Sequence, residues 1–84
     1  MEKTLLIILV KNRSENATKL QSILTEYGCM IKTRLGIHDG VLDQCSNSGL
    51  IILELVGAVE KKQELEKKLK DLDGIASKFV SLSI

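Results

Sequence analysis

His38, Asp39, Asp43 and Cys45 fall within one short stretch and form the one group in this sequence with the donor types of a metal site. Imidazole nitrogen, thiolate sulfur and carboxylate oxygen together suit zinc, nickel or copper, because borderline cations accept all three. Four ligands so close in sequence require a tightly folded loop or a ligand from a second subunit. The competing reading is structural: His38 bonds its own turn, Asp39-Gly40 makes that turn, and Cys45 is a small side chain shaping the segment before Gly49. Nucleophilic catalysis by Cys45 would need a base to lower its thiol pKa. His38 is the sole candidate, with no group to orient it. A second group, Asn12, Arg13 and Ser14, offers polar and cationic atoms that could receive an anionic effector.

These residues must be positioned by a duplicated scaffold. Residues 5–10 (LLIILV) and 51–56 (IILELV) are the same kind of strand, 46 positions apart, and the echo continues in Ile23 with Leu69 and Gly28 with Gly74. Strand, helix, glycine, strand, written twice, predicts an α+β ferredoxin-like βαββαβ fold, as a single domain over 1–84. Strands are expected near 3–11, 29–38, 49–57 and 75–84. The first helix is capped by Ser14, or alternatively by Asn12, with Ala17, Leu20, Ile23, Leu24 and Tyr27 on one face. The second covers 59–73, with Leu65, Leu69 and Leu72 inward and Glu64–Lys68 and Glu66–Lys70 pairs outward. Gly28 and Gly74 fit the left-handed position that ends a helix, and residues 39–48 read as a turn-rich connection. In 29–38 the alternation puts Cys29, Ile31, Thr33, Leu35 and Ile37 on the inward face, with Cys29 in the core, and Met30, Lys32, Arg34 and His38 on the other. Cys29 starts this strand and Cys45 lies beyond its far end, so at roughly 3.3 Å per residue they are about 30 Å apart. A disulfide within one subunit is excluded.

Strand composition sets the sheet order. The aliphatic first and third strands belong in the centre of a four-stranded antiparallel sheet, while Lys32, Arg34, Ser77, Lys78, Ser81 and Ser83 mark the second and fourth as edges protected against unwanted pairing. Two helices cover one face. Ile51, Leu53 and Leu55 should point at them, leaving Leu50, Ile52, Glu54 and Val56 on the open side. An aliphatic patch of that extent predicts a homo-oligomer, a dimer or tetramer, that covers the face. Glu54 should pair across strands with Lys32 or Arg34.

Composition excludes several classes. Twelve basic against eleven acidic residues give a net charge of +1, so there is no electrostatic footprint for direct nucleic-acid binding. The longest apolar run, six residues, is far short of a membrane span. Two cysteines behind a start that lacks a leader pattern predict a cytoplasmic protein. Iron–sulfur ferredoxins need four cysteines per cluster, RNA-recognition motifs need stacking aromatics on the central strands, and metal chaperones of this fold need CxxC after the first strand. None is present. Acylphosphatases need a glycine-rich anion cradle where this chain has only Arg13. No complete catalytic set exists, so a non-enzymatic role without a resident cofactor is expected, with transition-metal binding or redox sensing at His38 and Cys45 as the alternative.

The stretch Arg34-Leu35-Gly36-Ile37-His38-Asp39, then Cys45-Ser46 and Gly49 to Leu55, with Asp73-Gly74-Ile75 as a weaker echo, resembles the small ACT-like regulators of the iron-only hydrogenase system. That resemblance implies a βαββαβ fold, self-association and a non-catalytic regulatory role near hydrogenase maturation or expression. It also implies a small-molecule effector or a hydrogenase-system protein as partner. Amino-acid-binding ACT domains carry Asp-x-Pro-Gly after the first strand, and residues 11–16 contain neither Pro nor Gly. The ACT-like domain of nickel-responsive repressors uses His-x-His and a following Cys. His38 and Cys45 resemble the second His and the Cys, but Gly36 stands in the first His place and there is no other histidine to donate across an interface.

Overall fold

A computed structural model describes the chain apart from residues 12, 42 and 43, and its side chains apart from those of 13–14, 38–41 and 44–48 as well. The elements run β1 (Glu2–Val10), α1 (Arg13–Glu26), a 3-10 turn (Gly28–Met30), β2 (Ile31–Val41), β3 (Gln44–Leu55), α2 (Val59–Lys70) and β4 (Ile75–Ser83). The sheet order is β2-β3-β1-β4, all neighbours antiparallel, with the two aliphatic strands central as expected. This is the ferredoxin-like βαββαβ topology.

Period-2 patterning explains the layers. Leu6, Ile8 and Val10 on β1 and Leu53 and Leu55 on β3 are buried beneath the helices, together with Leu20 and Leu24 of α1 and Leu65 and Leu69 of α2. Ile51 packs against this cluster as expected. The duplication is in phase one residue shorter than the strand letters suggest. Leu6, Ile8, Val10, Leu20 and Leu24 correspond to Ile51, Leu53, Leu55, Leu65 and Leu69 at a spacing of 45, and both sets lie in or against the one core.

Four local expectations are corrected. Gly28 has no left-handed φ; α1 runs instead into the 3-10 turn, whose Met30 N–H donates to the Tyr27 carbonyl at 3.1 Å. Gly74 does adopt the left-handed region (φ 75°), beside the bond from the Lys11 N–H to its carbonyl (2.7 Å). Cys29 is exposed and Met30 is buried in its stead. The pairing slips between Ile31 and Thr33, a bulge that puts one extra residue into β2. Beyond it the strand's faces are exchanged: Arg34 lies opposite Leu53 on the helix side, while Leu35 and Ile37 lie opposite Ile52 and Leu50 on the open side. Finally, β2 and β3 extend through residues expected as a connection, pairing out to Val41 and Gln44.

Lys68 bonds Glu26 of α1 at 2.8 Å rather than Glu64, tying the helices together, whereas the Glu66–Lys70 pair forms at 3.5 Å. The chain ends meet at the start of β1, where the Met1 amino group donates to the Ile84 carbonyl (3.1 Å) and the Ile84 N–H to that of Met1 (2.8 Å).

Candidate functional site

The open sheet face carries a run of aliphatic side chains. Leu5 and Ile7 on β1 and Leu50 and Ile52 on β3 are half-buried at its centre, and Leu9, Leu35, Ile37 and Leu82 are exposed around them. Glu54 lies on this face, but its partners are Lys3 of β1 at 3.1 Å and Lys32 at 3.9 Å. Arg34 is not among them, because the bulge sends it to the other side. The Glu54 carboxylate, by hydrogen bond and charge, raises the Lys3 pKa above its ordinary 10.5. Val56 sits one residue beyond β3, its N–H donating to the Met30 carbonyl at 2.8 Å, at the end of the sheet rather than its middle.

The register gathers the polar candidates at one end of the sheet. Val10 pairs with Gly49 and Gly49 with His38, so the end of β1, the start of α1 at Arg13 and Ser14, and the far half of the β2–β3 hairpin share that end. Cys45 stands opposite Gly40 on the hairpin. Asn12 and Asp43 lie outside the described residues, as do the side chains of Arg13, Ser14, His38, Asp39 and Cys45. Among the described residues no three His, Cys, Asp or Glu side chains cluster as a metal site.

A groove of about 310 Å³ opens at this same end, between α1 and the β2–β3 side of the sheet. Val10, Leu20 and Ile51 form its aliphatic base, Gly36 and Gly49 its floor, and Ala17, Gln21 and Arg34 its rim. Arg34 is held there by its own bond: Nη2 donates to Gln21 Oε1 at 2.9 Å. Sequence reading missed this site. A floor made of two glycines leaves no motif, and Arg34 had been assigned to the opposite face.

A second, wider groove of about 780 Å³ lies at the other end, lined by Tyr27, Cys29, Met30, Gly57 and one side of α2 from Lys61 to its C-cap Asp71. Its charges are largely neutralised internally. Lys61 pairs with Glu64 at 3.3 Å and Lys68 with Glu26, while the Lys68 ammonium lies 5.5 Å from the Tyr27 ring centroid. Hydrogen bonding to Glu26 raises the Lys68 pKa above 10.5.

No family profile matches the sequence, and no curated protein matches it. Solved structures do. An uncharacterized protein from Thermotoga maritima superposes with a TM-score of 0.82 at 24% identity, covering 99% of this chain and 100% of that one. CPII, a nitrogen regulatory PII-like protein from Thiomonas intermedia, solved with ADP, AMP and bicarbonate, gives 0.61 at 11% identity over 100% and 96% of the two chains. A formyltetrahydrofolate deformylase from Pseudomonas putida gives 0.60 at 14%, over 93% of this chain and 28% of that one. At these identities the likeness is one of fold: a ferredoxin-like βαββαβ unit with PII-like neighbours. No described helix is long and apolar enough to cross a membrane.

Proposed function

We propose that this chain is a non-catalytic regulatory module of the cytoplasm that assembles through its open sheet face and takes a small effector at the end carrying residues 12–14, the β2–β3 hairpin and the smaller groove. The observation that carries the reading is the aliphatic sheet face, which the bulge in β2 enlarges by adding Leu35 and Ile37. Covering about 400 Å² of such surface contributes on the order of 10 kcal/mol at roughly 25 cal/mol per Å², before association costs. An effector bound near a subunit boundary then favours one assembly geometry over another, and a partner reads the difference. The likeness of fold to a PII-like protein that holds ADP, AMP and bicarbonate supports effector binding as the use of this scaffold. The motif resemblance around residues 34–55 supports a place in maturation or expression of the iron-only hydrogenase.

Light scattering at micromolar concentration tests the assembly. The native chain is expected to exceed the mass of one subunit, and Ile52→Lys to yield monomer or insoluble protein. A native monomer, or an Ile52→Lys variant with unchanged mass, refutes the sheet-face interface. A thermal-shift screen with ADP, AMP, bicarbonate and a metabolite panel tests the effector, and a flat response removes it.

A further inference from the structure

The smaller groove has a polarity that selects among ligands. Its floor exists because two residues lack side chains: a Cβ built on Gly36 would meet nothing within 4 Å, so the space above it is open. Its base is aliphatic, and its volume of about 310 Å³ is at the lower end of pockets that hold small molecules. Among the described residues its one cation, Arg34, stands at the rim. Gln21 fixes it twice over, accepting from Nη2 at 2.9 Å while its own amide nitrogen donates to Thr25 Oγ1 at 3.4 Å. That second bond orients the Gln21 amide so that its oxygen faces the guanidinium, leaving the other guanidinium N–H groups to offer a forked pair to a planar anion. Among the described residues the lining contains no carboxylate.

We infer that this groove binds a small monocarboxylate with a compact, branched apolar body, the carboxylate on Arg34 and the body over Gly36 and Gly49. The inference rests on the proposed effector-binding role and names the class of effector. A phosphate dianion is disfavoured, since one guanidinium and an aliphatic floor do not replace its hydration. An amino acid is disfavoured because the described lining offers no acceptor charge for its ammonium group. A neutral isostere forgoes the charge-assisted pair at the rim.

The test is an amide NMR titration of the full chain with 3-methylbutanoate, beside 3-methylbutan-1-ol, leucine and inorganic phosphate. The acid should shift the amides of Arg34, Gly36 and Gly49 saturably, and each of the other three should bind at least about tenfold more weakly. Arg34→Gln should weaken the acid by about tenfold. Gly36→Val should abolish its binding while folding normally, since the added side chain enters open space on a strand. Absence of saturable shifts, indifference to both substitutions, or equal binding of the alcohol, leucine or phosphate overturns the assignment. Should the acid fail while another metabolite changes the assembly, only the ligand class falls. Should the acid bind a chain that stays monomeric, the groove assignment stands and the regulatory reading falls.

Discussion

The two faces of the sheet are built from the same residues and differ only in what lies over them. Leu53 on the helix side has no exposed surface, whereas Leu35, on the open side next to Ile52, keeps 52% of its own. Leucine, isoleucine and valine dominate both. A sequence spends aliphatic side chains on two faces when both are to be covered, and the fold covers one. The charges agree: the helix side has Arg34 bound to a neutral amide at its margin, while the open side holds Glu54 between two lysines. That ion trio stands amid aliphatic surface.

Truncation gives the sharpest contrast. Leu53→Ala should cost about 3 kcal/mol in urea unfolding, within the range for a fully enclosed leucine. Leu35→Ala in an isolated subunit should stay within about 0.5 kcal/mol. A Leu35→Ala loss that grows with protein concentration would show the open side becoming a second core on assembly. Covering a face also demands tight joints. Gly74→Ala should cost about 1–2 kcal/mol, because its left-handed φ of 75° is unsuited to a side chain and the new Cβ would stand 3.2 Å from the Lys11 carbonyl oxygen. Gly28→Ala, with open space and no such φ, should be near neutral; equal losses at the two would contradict the different helix endings of the two halves. Glu54→Gln should change subunit stability by less than about 1 kcal/mol, as exposed pairs do. A marked fall in assembly mass instead would locate its role between subunits.

The smallest effect is that of pH. Lys3 on the open face and Lys68 between the helices both have raised pKa values, so the unfolded chain loses these protons first. Their contribution is therefore fully present below 10.5 and disappears as pH rises through the folded values. Unfolding midpoints at about pH 9 and about pH 11.5 should differ less in Glu26→Gln than in the native chain. An identical difference would remove the Lys68 pair from the account.

Strand order and the inward set Ile51, Leu53 and Leu55 were legible because central strands must satisfy two apolar neighbours at fixed period. The exchange of faces in β2 was not. The alternation from Cys29 to His38 reads as unbroken, and a bulge changes pairing without changing letters. The length of the hairpin was hidden similarly: Asp39 to Ser48 is polar and looks like a loop, yet a ladder asks only for backbone partners. That the start of α1 shares the Val10 end of the sheet with the groove follows from strand direction alone. What holds Arg34 at the rim depends on Gln21, thirteen residues away on another element, and no local spacing rule connects them.

The mutual hydrogen bonds of Met1 and Ile84 have a practical corollary. Anything attached beside Met1 or Ile84 departs from a single corner, at the opposite end of β1 from Val10 and the hairpin. A biotin there would tether the molecule to a sensor chip with the hairpin facing the flow.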